Sequence, residues 1–428
     1  MIKQSKQYKS KRVVMLTVFV TIAVLFSSCT TFNSFRQTFL SDGSNDTYPS
    51  ITIGVIEPQT GRYAKKGKDE IKGIELANSI YNNVDGYKVN LVKVDTQSSV
   101  SATETSIQAL IEMKPVAIIG TAGEASSLTI SDYIDEAKIP AITPSATNPL
   151  ITQNSNYYFR ACLTDPQMGE GLAEYAYERK GSGYIGIVSI KNDTGASALI
   201  EGFDDKIEEL AGKRSRAVAT TDYISADEKE MKAALKDMRS KSCDYCLVTM
   251  GTEEMNTFFT IVEDMDLTNM TFMGPRSWGD ESFVAMMDKH PDIKVVFPYE
   301  SVLTKNDDTS DTYTEEAQRF QIEYANRYGS DDIPTDNAAL GYDSYLLLIN
   351  AIHNAKSLEG SQIRAAMRDF SELKCATGLF TFDDTGNVIR SVTLSTIKDG
   401  KPVTEYVTNS EAKARKLEDV ETVTGEEE

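Results

Sequence analysis

The sequence predicts an α/β protein built as two lobes, each a doubly wound parallel sheet with helices on both faces. Three observations lead there. From residue 51 onward, short apolar runs alternate with stretches of helical periodicity, the pattern of parallel strands joined by crossover helices. The alternation pauses at "YYFRACLTD" (157–165) and then starts again, which calls for two sheets rather than one. A chain of 428 residues with 40% hydrophobic and 25% charged content is long enough for two domains with a core each.

The elements follow in order. "ITIGVIE" (51–57) reads as a buried strand, and "GKDEIKGIELANSIYNN" (67–83) spaces Ile71, Ile74, Leu76, Ala77 and Ile80 as one helical face. "YKVNLVKVDT" alternates apolar and polar residues as a strand. "ATETSIQALIEM" is a helix, "VAIIG" a strand, "SSLTISDYIDEA" a helix and "PAITP" a strand. In the second run "YIGIVSI", "RAVATTDYI", "YCLVTM" and "TFMGP" are strands, separated by helices near 195–211, 227–240 and 253–265. "KVVFPY" is a further strand, followed by helices at 314–328 and 337–356. No short period repeats, which excludes solenoids and propellers.

Charge narrows the partners. A formal net charge of −20 offers no basic stripe for a phosphate backbone, so nucleic acid is not an expected partner. The cations of the first segment stand apart: Lys3, Lys6, Lys9, Lys11 and Arg12 precede the apolar "VVMLTVFVTIAVLF" and then "SSC". A basic start, a short apolar run and small residues form an export signal, and the run is shorter than the ~20 residues a spanning helix needs. "FSSC" resembles a bacterial lipobox, with Phe26 where leucine is usual and Leu25 one place further out. That resemblance implies residues 1–29 as a lipoprotein signal, with Cys29 lipidated and anchoring the exported chain to a membrane. Residues 30–49 are polar and suit a tether, and 409–428 are an acidic tail.

In open parallel sheets, ligands bind beyond the carboxyl ends of the strands. The loops there are "EPQTGRYAKKG", "GTAGEASS", "TPSATNP", "IKNDTGAS" and "GPRSWGD", each rich in glycine, hydroxyls or charge. Two such edges facing each other make a cleft.

In this order the loops resemble the branched-chain amino acid (Leu/Ile/Val) substrate-binding protein family of ABC transporters, with its type I periplasmic binding protein fold. "IGVIEPQTGRYAKKGKDEIKGIELA", "VAIIGTAGEASS", "AKIPAITPSATNPLIT", "YYFRACLTDPQMGEGLAEYAY", "FMGPRSWGDESF", "AALGYDSYLLLINAI" and "GLFTFDDTGNVI" carry the likeness over about 50–408. The resemblance implies two lobes joined by three crossovers near Asp165, Pro298 and Asn387. Residues 50–164 plus 298–386 would form the N-terminal lobe, and 165–297 plus 387–408 the C-terminal one. It also implies a small-molecule ligand, an amino acid or related carboxylate, held between the lobes and delivered to an ABC permease with its own separate ATPase. A monomer is expected, with no enzyme activity, cofactor or metal.

The family pattern maps the ligand's carboxylate onto Ser145, Ala146 and Thr147, with Ser126 or Ser127 on the neighbouring loop. Glu124 stands where a serine is common. Arg276 stands where an acid usually takes the ligand's ammonium. Like charges repel in both places, and three arrangements are open: an Arg276–Glu124 pair, a ligand with its charges exchanged, or a different carboxylic acid. Lys66 and Thr194 replace frequent aromatics, with Tyr63 close by; Gly251 and Thr252 fill another aromatic's place, and Trp278 reads equally as a core residue or as one that stacks on a ligand or closes the lid.

Other signals carry less. Cys243 and Cys246 form a CxxC with no second ligand pair, so with Cys162 and Cys375 they read as core cysteines, a disulfide staying open. His290 and His353 stand alone, the glycines of "IIGTAGEA" do not follow GxGxxG, and no GxSxG, HExxH or GxxxxGK[ST] is present. The expected function is ligand capture for import, the alternative a ligand-sensing receptor of the same fold.

Overall fold

The computed structural model describes residues 49–180, 185–190, 194–211, 219–223, 227–300 and 314–408. The export signal with Cys29, all but the end of the tether, and the acidic tail lie outside the described residues. Strands β1 (Ser50–Glu57), β2 (Asn83–Val84), β3 (Tyr87–Asp95), β4 (Ala117–Gly120), β5 (Ala141–Thr143) and β6 (Tyr158–Arg160) make one sheet in the order β2-β3-β1-β4-β5-β6. All pair in parallel except β2. The second sheet takes β7 (Ile185–Ile190), β8 (Ala219–Tyr223), β9 (Tyr245–Thr249), β10 (Thr271–Met273) and β11 (Lys294–Pro298). After a small antiparallel pair, β12 (Leu373–Cys375) and β13 (Gly378–Phe380), strands β14 (Thr393–Lys398) and β15 (Lys401–Val407) complete it, in the order β15-β14-β11-β10-β9-β7-β8. The two parallel-stranded α/β sheets agree with the alternation in the sequence. The antiparallel edge of β14 and β15 is an addition that alternation does not reveal.

Strand order fixes where a ligand goes. β1 lies between β3 and β4, so successive crossovers leave it on opposite sides, and β7 lies likewise between β8 and β9. A crevice opens at the carboxyl end of such a reversal. The helices cover the sheets by simple periodicity: Glu228–Ser240 buries Met231, Ala234, Leu235 and Met238, spaced three and four apart. Asp227 caps it, accepting from the amides of Lys229 at 2.9 Å and Glu230 at 3.4 Å.

The helix Ala64–Ile80 packs against Asp336–Ala355 closely enough that a Cβ on Gly73 would stand 1.8 Å from the Ala338 carbonyl oxygen. Only a residue without a side chain permits that approach. The same contact seats the amino end of Asp336–Ala355 beside Lys66 and Glu70, at the edge of the crevice. Gly73→Ala should therefore cost about 1–3 kcal/mol, read as a lower urea midpoint at unchanged slope.

Candidate ligand-binding cleft

A cavity of about 420 Å³ opens between the loops at the carboxyl ends of the two sheets. The first sheet supplies Lys66, Glu124, Ser145 and Thr147. The second supplies Thr249, Met250 and Gly251 at the end of β9, and Pro275, Arg276 and Ser277 after β10. Asp165, Asp280, Asp336 and Asn337 complete the polar wall. A second cavity of about 610 Å³ adjoins it, sharing Lys66, Asp280 and Asp336 and adding Tyr63 and Tyr299. Volumes of this size suit small molecules.

The loop 144–149 is held by its own polar atoms. Buried Arg160 donates to the carbonyls of Ala146 at 2.6 Å and Asn148 at 2.5 Å, and its Nε to Asn387 Oδ1 at 2.9 Å. The carbonyls are taken from behind, and the amides of Thr147 and Asn148 turn to Glu124. Its carboxylate accepts from Thr147 N at 3.0 Å, Asn148 N at 3.1 Å and Thr147 Oγ1 at 3.2 Å. Gly123, at φ +100°, makes the turn that opens the helix on Glu124, and a Cβ there would meet the Tyr63 ring at 3.2 Å.

Arg276 pairs with Asp336 at 2.7 Å, lies 3.5 Å from Glu300 and donates to Asn337 at 3.0 Å. Burial works against its charge, but Asp336 and Glu300 outweigh it and hold the guanidinium above its ordinary value. Of the three arrangements open in the sequence, the Arg276–Glu124 pair does not form, because nearer acids engage the arginine. Lys66 donates to the Ser145 carbonyl at 3.2 Å. Glu300 also binds Arg390 and accepts from the Leu163 amide at 3.0 Å, which links three distant segments at one buried carboxylate.

Asp165, at the start of the helix Asp165–Lys180, receives the Thr147 hydroxyl at 2.9 Å. Burial first, and the charge of Glu124 second, push its carboxyl up to about 7.

The other expected residues fall as follows. Ser145 lines the cavity, yet its hydroxyl is spent on Glu70 beneath it. Ala146 is 1% exposed, and its amide donates to Thr143 Oγ1. Ser126 is buried and accepts from Thr103 at 3.0 Å, away from the cavity. Trp278 is corrected to a core residue, stacked on Phe283 at 4.8 Å with 1% exposure, because the apolar side chains under its loop bury the whole indole. Thr252 opens the helix Thr252–Asp264 one residue beyond the lining Gly251. The side chain of Thr194 lies outside the described residues. Asp165, Asp280, Asp336 and Asn337 were missed as site residues. Asp280 follows Arg276 within "GPRSWGD", and a search for acids near that arginine would have found it.

Cys162, Cys243, Cys246 and Cys375 are buried and free. Among the described residues no group of three His, Cys, Asp or Glu side chains is placed to hold a metal, and no helix is long and apolar enough to cross a membrane.

A fold of two such sheets around a polar crevice defines a solute-binding class, and comparison with known proteins agrees. Residues 50–402 match the periplasmic binding protein family, and the chain belongs to it. Members of this family are solute-binding proteins, not enzymes. The chain is 26% identical over 199 residues to the amino acid binding protein of Pseudomonas aeruginosa, covering 45% of this chain and 52% of that one. It thus spans about half the length of that relative. It is 23% identical to the Leu/Ile/Val-binding protein BraC3 of Rhizobium johnstonii over 347 residues, 80% of this chain and 89% of that one. The crystal structure of the leucine-binding protein LivK of Thermotoga maritima superposes with a TM-score of 0.70 at 26% identity, covering 85% of this chain and 99% of that one.

The Asp165 carboxyl gives a test of the charge balance. Its folded value, about 7, lies above its ordinary 3.8. Folding therefore takes up a proton between those values, and ionising the group costs stability that is absent below about pH 4 and complete above about pH 7. Asp165→Asn should raise the Tm of the ligand-free protein by a few degrees near pH 8 and leave it nearly unchanged near pH 4, measured by calorimetry.

Proposed function

We propose that this chain is the extracytoplasmic substrate-binding lipoprotein of an ABC importer, capturing a small solute of the amino-acid kind between two lobes and passing it to a permease. The observation that carries this reading is the 420 Å³ cavity walled by carboxyl-end loops of both sheets. The lobes are residues 50–164 plus 298–386 and 165–297 plus 387–408, with hinges near Asp165, Pro298 and Asn387. The meeting of Leu163, Glu300 and Arg390 at one carboxylate supports a common pivot there. Ligand contacts to both walls stabilise the closed form, which is the form a permease distinguishes from the open one.

Cys29 carries the lipid anchor and keeps the captured solute beside its membrane port. One acyl chain anchors only reversibly, so more than one is required there. The protein works as a monomer, and the ATPase is a separate chain. The amino-acid and Leu/Ile/Val-binding names of the relatives support the solute class, and the family match supports a place outside the cytoplasm.

A thermal-shift screen over amino acids, their amine and amide derivatives and small carboxylates should give at least one stabilising hit. Small-angle scattering should then record a smaller radius of gyration with that hit. Thr147→Ala should weaken the hit by roughly tenfold, the cost of removing a hydrogen bond to a charged group. Cys29→Ala should move the protein from the membrane to the soluble fraction. A screen without hits, or a hit indifferent to Thr147→Ala, contradicts the site.

A further inference from the structure

Glu124 and Asp165 stand side by side on the cavity wall with one hydroxyl between them. Thr147 Oγ1 lies 3.2 Å from Glu124 Oε1 and 2.9 Å from Asp165 Oδ2. One hydroxyl hydrogen serves one acceptor at a time. Two backbone amides complete the Glu124 side. Among the described residues nothing further donates to the Asp165 carboxylate.

The cavity's cations do not make up the deficit. Its lining holds Lys66 and Arg276 against Glu124, Asp165, Asp280 and Asp336. Arg276 is engaged by Asp336 at 2.7 Å and Asn337 at 3.0 Å. Lys66 gives a hydrogen bond to the Ser145 carbonyl. Asp280, open to solvent at the cavity mouth, caps no helix with its side chain and forms no ion pair among the described residues. The four acids of the lining outnumber its two cations, although the Thr249 hydroxyl and Arg276 Nε have no hydrogen-bond partner among the described residues.

We propose that the cleft selects an amine with no free carboxylate beside it, such as a primary amine or an amino amide, because Glu124 permanently occupies the carboxylate cradle and, with Asp165, forms the receptor for the ammonium group. The proposal rests on the solute-capture reading above and names its substrate class. An ammonium group brings three N–H donors and a positive charge to two carboxylates whose one shared donor is the Thr147 hydroxyl, and among the described residues Asp165 has no other. Of the cavity's two cations Lys66 forms no ion pair among the described residues, but Glu57, Glu70, Asp165 and Asp280 already share its charge, which leaves an α-carboxylate poorly received. To reach the amides of Thr147 and Asn148 it must displace Glu124, and it then lies next to Asp165. To reach Arg276 it must compete with the buried Asp336 and Glu300, and a buried acid left without its partner is costly. Glu124 is thereby the specificity-determining residue: where it stays, the amine end of the solute alone is read.

The test uses matched triads: an amino acid, its amide and its decarboxylated amine, for instance leucine, leucinamide and 3-methylbutylamine. Several side chains are titrated into the mature protein by calorimetry. The amide and the amine should bind at least about tenfold tighter than the free amino acid, as expected for one unpaired charge in the site. Glu124→Ser frees the two amides and should reverse the order in favour of the amino acid. Glu124→Gln keeps the side chain's size and should weaken the amine about tenfold without gaining the amino acid. Ligand-free thermal unfolding of both variants establishes that they fold. Free amino acids that bind as tightly as their amides, or a Glu124→Ser variant with an unchanged order, overturn the proposal. A hit in the general screen that lacks an amino group, or that needs its carboxylate, overturns this inference and leaves solute capture standing. No hit of any kind overturns both.

Discussion

A carboxylate belonging to the protein itself sits where two backbone amides converge, and the cleft is organised around that contact. Glu124 meets Thr147 and Asn148 because Gly123 turns the chain into a helix whose first residue faces the loop 144–149. The loop presents those amides because Arg160 holds its carbonyls on the other side. A surface turn needs few of these groups. Here nearly every polar atom between its two prolines has an assigned partner, so a short rigid segment is fixed to the accuracy that a binding site demands.

The second constraint is the buried cluster around Glu300. It joins Arg276 in the cavity wall to Arg390 and to the Leu163 amide. Such a cluster contributes little net stability compared with an apolar core, but breaking one member of it is expensive, which favours a single arrangement of its segments. Arg276, one of those arms, lines the cavity, so a change in charge there reaches Leu163 and Arg390 through Glu300.

Most of the fold was legible in the sequence. β1, β4 and β9 are buried on both faces and read as unbroken apolar runs, and the long helices carry their three-and-four spacing openly. β2, the antiparallel edge of β14 and β15 and the helix Gly360–Arg368 were not legible, being short or defined by partners rather than by pattern. The site was legible in part. Thr147 and Glu124 stood out by position and by charge, and both line the cavity. Trp278 misled because its loop faces the crevice while its ring turns into the apolar layer around Phe259 and Phe283. Asp165 was read only as a chain crossing, since nothing local distinguishes an acid at a helix start from a simple dipole partner. Its role needs the distance to Thr147, which joins segments 18 residues apart.

The central claim concerns which carboxylate holds the two amides when the solute is in place. A crystal structure of the protein with its bound solute decides this directly. The account predicts Glu124 still on Thr147 N and Asn148 N, and the solute's nitrogen within hydrogen-bond distance of Asp165. A solute carboxylate on those amides, with the Glu124 side chain swung away, would contradict it.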